Sequence, residues 1–424
     1  MATTNSNNAM AFTVPQTLIS TDFRAPLCMA AQSLITAILI NSTPKKSSLM
    51  RLASLPILIS LMLQSWATAA SFTGQSVLYS FWWVGPYANI FHCANNLLLH
   101  PLDSNDVQHE MQLQQRRRNI KSTSSPGFLQ RIIWTLTLLF SFRGLGTTKQ
   151  ISYIPTPLPS PSRFKFLARQ ITLIALQYTI INLLASSPPP PSIVEGWAEG
   201  KEWLWIPSLN PHHQPVTKAD LINRLVGCTM NWFVVGRCMN DIWYRIFSVL
   251  FVTSGISPPE KWPECFGTYA DTYTLRGYFG KFWHQTLRWP FSGVAAFLSR
   301  RVLRFRPGGK ADWYINLWVV FFLSGTLHAI LPMAFGRVWQ PAGCLLTFGL
   351  FLPLGIVFED FVRGMWGKKG RPRWFERVVG HLWVVFYLAL VTPVFNYPLQ
   401  RIEGNPTYLV RPEWSLVHML GKKV

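Results

Sequence analysis

The stretch WYINLWVVFFLSGTLHAILPMAF, Trp313 to Phe335, contains no charged residue and holds a histidine, His328, deep inside it. A run of about 20 apolar residues is long enough to cross a bilayer as a helix. An ionisable side chain in hydrocarbon is costly and is kept mainly where it lines a cavity or does chemistry. Asn316, Ser324, Thr326 and His328 are the clearly polar side chains of the stretch, with Ser324 one helical turn before the histidine. Two readings follow. One is a core histidine hydrogen-bonded across helices; the other is a general base held near neutral pKa in a dry site.

Just upstream, Tyr278 to Phe291 reads YFGKFWHQTLRWPF. As a helix, it would set His284 and Arg288 on one face, with Gln285 beside them and Trp283 and Leu287 on the neighbouring apolar face. An imidazole, an amide and a fork-shaped cation backed by aromatics suit an anionic partner such as the phosphorylated handle of an activated thioester. The same pattern also fits an amphipathic interfacial helix whose Arg and His snorkel to headgroups.

The wider chain has the composition of a membrane protein. Of its 424 residues 49% are hydrophobic and only 13% charged, about half the roughly 25% of a soluble domain. About eight spans are expected: Ala25 to Ile40, Leu52 to Ala70, Val77 to Leu99, Gln170 to Ala185, Leu221 to Val252, Trp313 to Phe335, Pro341 to Phe358, and His381 to Phe395. Arg237, Asp241 and Arg245 interrupt the fifth of these, which reads as one span followed by an interfacial helix. Phe128 to Phe142 is shorter, and reads as interfacial or re-entrant. The fold class is therefore all-α and polytopic. It divides into a polar tail (1–24), N-terminal spans with a basic loop (25–127) and a third part (128–424).

The net charge of +21 sits in loops and follows the positive-inside pattern rather than forming a nucleic-acid surface. The Ser257 to Asp312 loop, which includes Arg288, and the Asp360 to Gly380 loop are basic. Both are expected on the cytosolic side, with Arg116 to Arg118 and Lys45, Lys46 and Arg51. The acidic Ser186 to Asp220 loop is expected in the lumen together with the N-terminus. Neither a metal site nor a disulfide framework is expected from the six scattered cysteines, the His212–His213 pair is too short for a metal site, and no cleaved signal peptide is expected. Glu359 and Asp360 read as plain interfacial acids.

Four segments together resemble the fungal branch of the wax-synthase-like membrane-bound O-acyltransferases. They are FRGLGTTKQI (Phe142 to Ile151), KWPECFGTYADTYTLRGYFGKFWHQTLR (Lys261 to Arg288), FFLSGTLHAI around His328, and FGLFLPLGIVFED ending at Asp360. The likeness runs from about Phe142 to near the C-terminus, and its specific part is WHQxxR paired with SGxxH. Phe279, Glu264 and Leu352 stand where that family commonly has tryptophan, proline and glutamine. Ala329 follows His328 where plant relatives tend to carry an acid, which leaves Ser324 or Asn316 to orient the imidazole.

The resemblance implies ester formation from acyl-CoA and an alcohol in the endoplasmic reticulum. His328 would be the catalytic histidine, and Trp283, His284, Gln285 and Arg288 the acyl-donor motif. The chain is accordingly read as an acyltransferase that uses acyl-CoA, chiefly acetyl-CoA, as co-substrate with no bound cofactor. Its acceptor is a hydroxyl on an apolar small molecule such as a terpenoid or meroterpenoid. His328 would take the hydroxyl proton, and His284 or Gln285 would donate to the thioester oxyanion. A long-chain wax or sterol ester synthase of the same family is one alternative. A transporter with His328 as a protonatable coupling site is another, and it predicts further intramembrane acids or paired broken helices.

Overall fold

A computed structural model describes residues 24–69, 77–117, 125–155, 162–185, 191–204, 216–330, 341–367, 372–401, 415, 416 and 419. All of the polar tail but Arg24, the His212–His213 pair and most of the two proline runs lie outside the described residues. Every regular element among the described residues is helical. Among the described residues six helices, against the eight spans expected, are long and apolar enough to cross a membrane: Arg24–Ser42, Ser48–Trp66, Arg163–Leu184, Lys310–Ile330, Ala342–Trp366 and Trp374–Val391.

Their outer faces are apolar: Leu382 is 65% exposed and Phe361 61%. Large hydrophobic side chains turned outward on long helices need lipid as their solvent. Polar groups are correspondingly turned inward. Arg51 is fully buried and spends its guanidinium on Thr43 Oγ1 (2.9 Å), Thr43 O (2.7 Å) and Leu97 O (3.2 Å).

The break expected within Leu221 to Val252 is absent. Lys218–Thr229, the wider π-type turn Met230–Val235 and Gly236–Thr253 form one uninterrupted helical run. Its charges point into the protein rather than to an interface. Arg245 pairs with Asp241 (2.7 Å) and Glu264 (2.7 Å) and bonds Gln170 Oε1 (2.5 Å), while Arg224 donates to Leu390 O and Lys201 O. A helical run can carry charge where neighbouring elements satisfy it, so composition alone misjudged where this one breaks.

The main core joins this run to Leu275–Phe282 and to the spans containing Phe321, Phe348, Ile356 and Leu388. Loops on one side of the bundle are chained together. Lys45 pairs with Asp106 (2.7 Å), Thr148 bonds Glu110, and Lys261 donates to Leu145 O (3.0 Å). On the other side Arg401 pairs with Glu202 (2.9 Å) and Lys201 with Asp220 (2.7 Å).

Candidate active site

His328 lies near the end of Lys310–Ile330, about 27 Å along the helix from Lys310 at 1.5 Å per residue. Its Nδ1 is 2.7 Å from the Ser324 carbonyl oxygen. A carbonyl only accepts, so Nδ1 carries the proton and the neutral ring leaves its lone pair on Nε2. The ring stacks on Phe348 (3.9 Å between centroids, 14° between planes) and meets Phe395 edge-on (6.0 Å). Gly325 permits this packing, because a Cβ there would stand 3.3 Å from both Cys344 O and Phe348 Cβ.

Orientation of the imidazole therefore comes from the Ser324 backbone, not its hydroxyl, and from the stack on Phe348 with Phe395 at its edge. Asn316 takes no part. Its amide donates to Asp312 O (2.6 Å), Asp312 Oδ1 (3.0 Å) and Ser299 Oγ (3.2 Å), three turns away at the other end of the span.

The WHQxxR segment is not one helix. A widened turn, Tyr278–Phe282, ends at Trp283, whose backbone is extended (φ −64°, ψ 149°), and a new helix starts at Arg288. Pro290 favours the restart: a proline has no amide to donate and its ring clashes with the carbonyl four residues back, so it is best accommodated in a first helical turn. His284 thus belongs to a turn, Trp283 to Leu287, Arg288 opens the next helix, and the two share no helix face.

Gln285 is 4% exposed and spends its amide inside that turn. Its Nε2 donates to Phe279 O (3.2 Å) and Trp283 O (2.5 Å), and its Oε1 accepts from Arg288 Nη1 (2.8 Å). Gln285 is therefore not available as an oxyanion donor. Arg288 Nη1 also donates to Gly280 O (3.0 Å), so one edge of the guanidinium braces the turn.

Arg288 is also not in an outlying basic loop. Its helix, Arg288–Phe297, runs antiparallel to the histidine span: Ser299 Oγ bonds Asp312 Oδ1 (2.5 Å) at one end, while Phe291 packs with Leu327 towards the other. The chain from Leu275 to Ser299 is a hairpin that enters beside Glu359, turns at His284 near the depth of His328, and returns.

Glu359 fixes the entrance. Its carboxylate accepts from the amides of Leu275 (2.6 Å) and Arg276 (3.2 Å) and from the Trp383 indole (2.9 Å). It is a half-buried cap rather than a plain interfacial acid. Its neighbour Asp360 pairs with Arg276 at 3.3 Å.

The far end of the hairpin rests on Arg143, the arginine of the RGxG element, which is 1% exposed. It donates to Glu264 O (2.9 Å), Pro263 O (3.0 Å) and Tyr244 Oη. The loop so held delivers Phe266 against Trp283 (5.4 Å) and His284 (5.8 Å), and Gly267 N reaches Phe282 O (2.9 Å). A Cβ on Gly267 would fall 2.5 Å from Lys281 O, so only glycine allows this approach. Glu264, which departs from the family pattern, pairs its carboxylate with Arg169 (2.6 Å) and Arg245 (2.7 Å).

The two histidines are electrostatic neighbours. His284 interacts electrostatically with His328 and with Arg143. Its Nδ1 is 2.8 Å from Thr286 Oγ1. An aromatic chain spans the gap between the motifs: Trp283 to Trp232 (5.2 Å), Trp232 to Phe348 (6.2 Å), and Phe348 to His328. Sequence reading missed Trp232, Arg143 and Glu359. Arg143 and Glu359 stood within quoted motifs without being assigned these supporting roles, and Trp232 carried no signal. Cys265 lies in the same loop, but burial pushes its thiol up to about 12, which removes it as a nucleophile.

Residues 262–352, which include both histidines, match the Membrane bound O-acyl transferase family. The acetyltransferase atnC of Arthrinium sp. is 32% identical over 93% of this chain and 91% of its own. The acetyltransferase ataH of Aspergillus terreus is 33% identical over 68% of this chain and 97% of its own. The acetyltransferase pyr8 of Aspergillus fumigatus is 29% identical, covering 92% and 90%. No solved structure matches.

Proposed function

The chain belongs to the membrane bound O-acyl transferase family, and on that premise we propose that it moves an acetyl group from acetyl-CoA to a hydroxyl of an apolar small molecule. A terpenoid or meroterpenoid alcohol fits best, and the endoplasmic reticulum membrane is the proposed location. The fungal relatives named as acetyltransferases support the acetyl donor. The observation that carries the mechanism is the His328 lone pair, which the Ser324 carbonyl assigns to Nε2.

In the proposed reaction Nε2 of His328 takes the hydroxyl proton as the oxygen attacks the thioester carbonyl carbon. The carbon–sulfur bond then breaks, and the proton passes from His328 to the leaving thiolate. With Gln285 spent on the backbone, His284 is the side chain of the turn left to donate to the oxyanion, through Nε2 when Thr286 donates to Nδ1. Arg288 is proposed to meet the acyl donor with the guanidinium edge not given to Gly280 and Gln285. Trp283 provides the apolar wall. Direct transfer at one base needs no covalent enzyme intermediate.

Membranes containing the chain, supplied with acetyl-CoA and a panel of lipophilic alcohols, should release free CoA thiol and an acetyl ester in equal amounts. Ester formation from palmitoyl-CoA at a higher rate than from acetyl-CoA would select the long-chain ester synthase instead.

A further inference from the structure

We propose that Trp232 determines acyl-chain length, by filling the space next to the thioester so that only a short acyl group fits between the two motifs. The proposal rests on the acetyl-donor reading and names the residue that enforces it.

Trp232 sits where the two halves of the site meet. Its indole is 5.2 Å from Trp283 of the donor turn and 6.2 Å from Phe348, the ring on which His328 stacks. A thioester carbonyl placed between His284 and His328 has this indole beside it, so any acyl chain must run past the ring.

The ring is also held in one orientation. It is 5% exposed, and its N–H donates to Thr392 Oγ1 at 2.8 Å. Its own carbonyl accepts the Tyr278 hydroxyl at 3.0 Å, so the widened turn Met230–Val235 is tied to the donor hairpin. Widened turns of this type inside helices are frequent at functional sites. One turn on, a Cβ at Gly236 would lie 3.4 Å from Trp283 Cη2. The Trp283 indole thus lies against the Gly236 backbone on one side and edge-on to the Trp232 ring on the other. A wall of aromatic rings tied by hydrogen bonds rejects added methylenes sterically, because a close-packed interior cannot absorb them without displacement.

The test is the donor profile of Trp232→Phe and Trp232→Leu, measured as kcat/KM for acetyl-, butyryl- and hexanoyl-CoA in membranes of matched protein content. A gate predicts that the hexanoyl-to-acetyl ratio rises by about tenfold or more in the leucine variant, with phenylalanine in between. A merely structural tryptophan would lower all three donors together and leave the ratio where it was. An unchanged or lower ratio overturns the proposal, whatever happens to total activity. If the leucine variant does not accumulate, the phenylalanine variant gives the same reading on a smaller scale. A wild-type enzyme that already prefers hexanoyl-CoA would refute the acetyl-donor reading, while the ratio in the variants would still decide the gate.

Discussion

The two histidines are held by opposite means. His328 sits in a regular helix, and its proton is placed by a carbonyl four residues back and its ring by a flat stack on Phe348. His284 sits in a turn without helical geometry, placed by groups far away in sequence: Arg143 through the Pro263–Phe266 loop, Glu359 through Leu275 and Arg276, and Gln285 with Arg288 from within. The first site is local and rigid by default. The second is assembled, and each of its remote supports is a place where it can fail without touching the chemistry.

The sharpest way to separate the two is to remove the local one. His328→Ala should cut kcat by about 10²–10⁴ while the protein stays in the membrane at near-normal level, since what is lost is the proposed general base and not a fold element. Steady-state rates at matched abundance check it. Next in size, Glu359→Gln should lower kcat/KM for the acyl donor by roughly tenfold, because an amide nitrogen would face the Arg276 amide where a carboxylate oxygen now accepts. That loss should appear mainly in donor KM, with kcat kept, as expected for a support of the donor turn that leaves His328 in place. An equal loss in kcat would mean that the two histidines share their supports.

The smallest effect belongs to Asn316→Ala. Its amide bonds Asp312 and Ser299, three turns from His328, so the cost should be about 1 kcal/mol of stability and no more than about twofold in rate. A larger rate loss would restore Asn316 as an orienter of the imidazole.

The same division explains what the sequence made legible. His328 could be read because an uncharged run with one imidazole is a local signal, and the spans around it follow from apolar length. The donor turn could be noticed as residues but not as a shape. Pro290 marks where its helix must start, yet a four-residue spacing still suggested one continuous face. The Leu221 to Val252 run looked broken because its charges were visible and their partners, Glu264, Gln170 and Leu390, were not. Glu359 looked like an interfacial acid for the same reason: its bonds go to amides more than 80 residues away.

If the assembled turn and the helix form one reaction centre, His284 and His328 must act together. The direct measurement is a double-mutant cycle on His284→Ala and His328→Ala, read as the rate of acetyl ester formation. Residues that act as one unit are strongly non-additive, so the double variant should be about as slow as the slower single variant. If the two losses simply multiply, the histidines work independently and the shared site described above is wrong.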